Sequence, residues 1–157
     1  MREAQGHALL GSTVPCLRAV ERGRSLLAAQ ASGPQSALGL NSVTDPSGLV
    51  LGWCLFDLGE PAQAAEVLTT EIDRMPTDAR RSRSRFGVRL AMAQAACGDV
   101  DGAAVTAATA LADAVMVDSM TIRVDVRRLA RELTRWPRHA ALRHLHPVVR
   151  DVLQTAT

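Results

Sequence analysis

Arginine is the residue type through which this sequence could do chemistry. All 18 basic residues are arginine and none is lysine, and they are spread unevenly. Between Arg74 and Arg89 six arginines stand with only Asp78; residues 119–150 add eight more against Asp125 and Glu132; residues 90–118 hold four aspartates and no base. A guanidinium grips a carboxylate or a phosphate through two parallel hydrogen bonds. The layout therefore suits an acidic peptide, a phosphate-bearing ligand or nucleic acid. The plainer reading is a solvated surface whose arginines pair with aspartates of neighbouring helices. It is favoured because the net charge is only +2 and aromatic stacking partners are few.

Other reactive types offer less. On a continuous helix His139 and His146 share one side and His144 lies on the other, and Pro147 interrupts the run. No cysteine or carboxylate completes a tetrahedral set, so neither zinc nor any other cofactor is expected. Cys16, Cys54 and Cys97 each fall on an expected packing surface, as buried free thiols suited to a reducing cytoplasm. No glycine-rich phosphate loop and no paired nucleophile and base appear, so the reading leans away from an enzyme.

The elements that must position these residues are helical. Apolar content is 47%, supplied largely by alanine and leucine, with two Phe and two Trp. Such a composition with apolar residues at helical spacing favours close-packed helices over sheet. At 157 residues the chain is long enough to bury its own core as one domain. No run approaches the roughly 18 apolar residues of a membrane helix, and the amino terminus lacks the apolar core of a signal peptide. The expectation is a cytoplasmic domain with no membrane contact.

The clearest stretch is Leu51-Gly52-Trp53-Cys54-Leu55-Phe56-Asp57-Leu58-Gly59-Glu60-Pro61, followed by Ala64-Ala65 and Leu68. Asp45-Pro46 starts a helix with a capping carboxylate and proline at the first position. Gly59 can end it in the left-handed conformation, and Glu60-Pro61 starts the next helix at once, so the two fold back antiparallel. Gly52 and Ala64 remove bulk where they cross. The spacing predicts a hairpin over 46–75 closed by Met75-Pro76, a second over 78–117 and a third over 119–155. Thr77 or Asp78 caps the second, Gly98-Asp99 forms its turn, and Asp118 or Ser119 caps the third. Two short carboxy-terminal helices, about 138–145 and 147–155, are parted by Pro147 and cap the stack. Ahead of these, residues 1–31 read as a truncated first hairpin turned at Gly11. Gly33 to Thr44 is part of a polar linker, 32–45.

Leu51-Gly52, Leu55, Gly59, Ala64, Leu68 and Pro76 fall at the offsets of the tetratricopeptide repeat, which this stretch resembles. It departs at Gly48, where the signature has tryptophan, at Leu55, where it has an aromatic, and at Glu71, where it has alanine. Leu90-Ala91, Gly98, Ala103, Ala107 and Ala110 form a weaker copy. Gly59 and Gly98 are 39 residues apart, against 34 for that class. The chain also resembles the carboxy-terminal helical half of actinobacterial helix-turn-helix regulators. His7-Ala8-Leu9-Leu10, the Gly52-to-Leu68 hairpin, Arg80 to Gly87 and Val124 to Leu129 carry this likeness. The family places a DNA-reading helix-turn-helix before the repeats, and none is read here; a complete chain would have lost it, whereas a piece of a longer protein says nothing either way.

The resemblance implies an all-α fold of antiparallel hairpins stacked as a short solenoid. In its register the concave surface presents Trp53, Phe56 and Asp57, then Arg85, Val88 and Met92, then Arg123 and Val126. An apolar centre flanked by arginines suits a small acidic ligand or a peptide carboxylate, although Trp53 and Phe56 equally suit a core between hairpins. The function expected is a non-catalytic, regulatory binding module for a protein, a peptide or a small acidic ligand. The alternative is a helical scaffold recruited as an enzyme or carrier in small-molecule metabolism. Nucleic acid is not expected as a partner without a separate DNA-binding domain. Because Leu9, Leu10, Leu17, Val20 and Leu27 have no earlier hairpin to rest on, a homodimer through residues 1–31 is expected.

Overall fold

The computed structural model describes residues 1–31, 46–117 and 119–154. Among these every regular element is helical: α1 Arg2–Leu9, α2 Thr13–Ala31, α3 Ser47–Asp57, α4 Pro61–Asp73, α5 Arg80–Ala96, α6 Val100–Val115, α7 Met120–Leu133 and α8 Leu145–Gln154, with a short 3-10 turn at Ala140–Leu142. The expected linker 32–45 and caps at Asp45 and Asp118 fall outside the described residues. No described helix is long and apolar enough to cross a membrane. The chain divides into two compact units, Met1–Pro76 and Thr77–Thr157.

In the amino-terminal unit α1 and α2 pair, α3 rests on both, and α4 folds back on α3. The hairpin of α3 and α4 follows from local chemistry. Gly59 has φ +85° and no neighbour where a Cβ would stand. Its N–H donates to the Phe56 carbonyl while the Glu60 N–H donates to that of Leu55, so the last carbonyls of α3 are satisfied. Pro61 then opens α4. Where the helices cross, a Cβ on Gly52 would stand 2.6 Å from Leu68 Cγ, so only glycine admits the fully buried Leu68. Pro46 sits one position earlier than its expected place, as the residue before α3. The unit's core joins Ala4, Ala8, Cys16, Ala19 and Val20 to Val50 and Cys54. Val20, expected to lack support, is therefore covered, whereas Leu9, Leu10 and Leu17 stay exposed.

In the carboxy-terminal unit α5 pairs with α6 and packs on α7, while α8 packs on α6 and on α7. Each of the four helices thus packs against two others. Asp99 caps α6, its carboxylate accepting the Gly102 N–H at 2.9 Å. The other expected caps differ. Neither Thr77 nor Asp78 caps α5, which follows Ala79. Ser119 precedes α7, but its hydroxyl accepts from Arg81 Nη2 at 3.3 Å rather than from the helix. Pro147 does not separate two helices. It is the third residue of α8, where the N–H it lacks would have had no partner within the helix. The element before it is the single 3-10 turn.

Candidate functional site

Arginines four residues apart on a helix share a side, and Arg81, Arg85 and Arg89 all turn from α5 toward α7. Arg89 Nη2 lies 2.8 Å from Asp125 Oδ2 and its Nε 3.1 Å from the same oxygen. Arg85 Nε stands 3.9 Å from that oxygen. Both guanidinium groups also lie over the Phe86 ring, 5.3 Å from its centre for Arg89 and 5.7 Å for Arg85. Arg89 and Asp125 are each 3% exposed. The pairing of arginines with an aspartate of a neighbouring helix is thus realised here as a buried bond in the unit's interior.

The residues expected on a concave face divide accordingly. Val88 and Val126 are 0% exposed and Met92 is buried with them. The surface they were assigned to is the packing face of α5 and α7, so no ligand can touch these three without opening the core. Arg123 is buried too, its Nη2 3.0 Å from Met120 Sδ. Arg85 is half-buried beside Asp125, and Trp53, Phe56 and Asp57 are half-buried within the amino-terminal unit. Asp125 and Arg89 were missed as partners. The available signal was the position of Asp125 among Ile122, Val126 and Leu129, a carboxylate inside an apolar stripe.

What α7 offers to solvent is its other side. Met120 (60% exposed) and Val124 (45%) lead into exposed Arg127, Arg128 and Arg131, and Arg135 follows just past the helix end. The spacing places all of them on one outward stripe, apolar at its start and cationic along the rest. Arg135 pairs with Glu132 at 2.6 Å.

A second feature lies where the turn after α7 bridges to α8. Ala130, Leu133, Trp136, Leu142, Leu145 and Val149 line a partly enclosed cavity of about 210 Å³. Exposed Thr134, Pro137 and His146 complete its wall and mark its mouth. The Trp136 indole N–H is buried without a hydrogen-bond acceptor among the described residues.

The histidines do not converge: His139 Nδ1 lies 3.9 Å from Asp101 Oδ1, and His144 and His146 are exposed. Among the described residues no three His, Cys, Asp or Glu side chains are grouped to hold a metal ion. Cys16 and Cys54 are buried together in the first unit's core, while Cys97, expected to be buried, is exposed. It closes α5 just before Gly98, beyond the packed part of the helix. Burial, with Cys16 alongside, pushes the Cys54 thiol up to about 12. A thiol so held is not a nucleophile near neutral pH.

No protein family, curated protein or solved structure gives a match to this chain.

Proposed function

We propose that this chain is a non-catalytic binding module of regulatory type that docks an acidic, partly apolar peptide segment of a protein partner on the outward stripe of α7. The observation that carries the reading is that stripe. A peptide with apolar residues at one end and Asp or Glu along the rest would bury Met120 and Val124 and meet Arg127, Arg128 and Arg131, whose planar forks suit carboxylates. Thirteen of the 18 arginines lie from Thr77 onward, so the unit around the stripe favours acidic partners over long range. A small acidic ligand would use the same chemistry with fewer contacts. The likeness to the helical half of helix-turn-helix regulators supports a regulatory setting in the cytoplasm.

The test is fluorescence anisotropy of a labelled acidic amphipathic helix-forming peptide. Saturable binding is expected, weakening as salt rises and falling at least about tenfold in R127E/R131E, which reverses two charges on an exposed face. Binding of a DNA duplex in preference to the peptide, or peptide binding indifferent to R127E/R131E, would overturn the assignment.

A further inference from the structure

We propose that the cavity between α7 and α8 is a binding site for a small uncharged molecule built on one aromatic ring and carrying a hydrogen-bond acceptor. It uses none of the residues of the α7 stripe and stands independently of the peptide reading. Size sets the first limit. At about 210 Å³ it exceeds the roughly 150 Å³ apolar cavity that takes up benzene and falls short of the roughly 300 Å³ at which drug-sized pockets begin. One ring with a small substituent fills it.

Chemistry sets the second limit. Ala130, Leu133, Leu142, Leu145 and Val149 offer no polar side-chain atom, and the polar side chains of Thr134 and His146 stand at the exposed mouth, so water deeper inside would lack the two to four partners that hold it. A charged ligand would lose its hydration without replacement. Behind that mouth the exception is Trp136, which lines the cavity and whose indole N–H has no acceptor among the described residues. A buried donor without a partner is unfavourable. An occupant oxygen that accepts from it, after a small tilt of the ring toward the cavity, supplies that partner and orients the ligand.

The full chain carrying W53F leaves Trp136 as the sole tryptophan, so its fluorescence reads the site. Benzyl alcohol and toluene are the probes. Both are expected to give saturable changes, with benzyl alcohol bound about five-fold more tightly through its oxygen. V149F, which fills the cavity, is expected to abolish the response while the melting temperature is held or raised. If V149F does not fold, A130L fills the same space from α7 and is read in the same way. A response that climbs linearly to the solubility limit, or a saturable one that persists in a folded filled variant, overturns the site. Equal affinity for the two probes overturns the role given to the indole N–H.

Discussion

Gly48 of α3 and Glu71 of α4 occupy one space: a Cβ on Gly48 would stand 2.5 Å from Glu71 Cδ. These are two of the positions at which the hairpin departs from the tetratricopeptide signature, tryptophan and alanine being expected there. The departures complement each other. Where the signature has a large residue opposite a small one, this chain has no side chain opposite a long one, and the Glu71 carboxylate continues outward to Arg74 at 3.1 Å.

That relationship predicts coupling. Gly48→Ala should gain about 1 kcal/mol of helix propensity, offset in the native background by displacement of Glu71. In a Glu71→Ala background the gain should appear in full. Urea unfolding of the two single variants and the double variant checks it; additive effects would show that the two positions do not share space.

The two glycines of the same hairpin should fail differently. Gly59→Val meets no neighbour but forces a β-branched residue to φ +85°, costing about 1 kcal/mol or more, and Gly59→Asn should cost less. Gly52→Val drives a side chain into Leu68, and overpacking of that kind costs about 1–3 kcal/mol. Thermal unfolding of the three variants, with Gly59→Asn the mildest, is the measurement.

Removing the carboxylate of Asp125 takes from the buried Arg89 guanidinium the ion pair it makes at 2.8 Å. Asp125→Ala should therefore destabilise by about 3 kcal/mol or more. Arg89→Met with Asp125→Leu should recover most of that loss, because apolar groups of similar volume replace both charges. Chemical denaturation of the single and double variants compares them directly.

Thiol chemistry should separate the three cysteines. In the native chain at pH 8 a thiol reagent should label Cys97 quickly and spare Cys16 and Cys54 until the chain unfolds. The Cys54 pKa is raised in the folded state, so the stability it contributes is fully present below the unfolded value near 9. It is lost progressively as pH rises toward about 12. A stability profile over pH 8–10.5 should slope downward, and more gently in Cys54→Ala.

Leu9, Leu10, Val14, Leu17 and Leu26 remain exposed, Leu10 at 79%. With a second copy as the proposed occupant, light scattering should give a dimer mass, and Leu10→Arg with Leu17→Arg should return the monomer. A monodisperse monomer at high micromolar concentration would show the amino-terminal helices to be solvated as they stand.

Sequence by itself determined the helices as far as α7 and the glycine turns between them, because those depend on a few adjacent residues. Gly11, Gly59 and Gly98 all take positive φ where a stop was read, and Asp99 caps where a cap was read. It also determined the Gly52 crossing, since a tight turn fixes which residues of two helices meet. Tertiary structure alone decided which face of each helix is spent on its neighbours. Val88, Met92 and Val126 were read as a concave surface because a repeat register was extended along the chain. In the carboxy-terminal unit α5 packs on α6 and α7, and all three residues are buried. The packing of α5 on α7 brings Asp125 against Arg89 across 36 residues, and α8 laid on α7 leaves the cavity beside Trp136. No local spacing encodes either, because each depends on where a distant helix comes to rest.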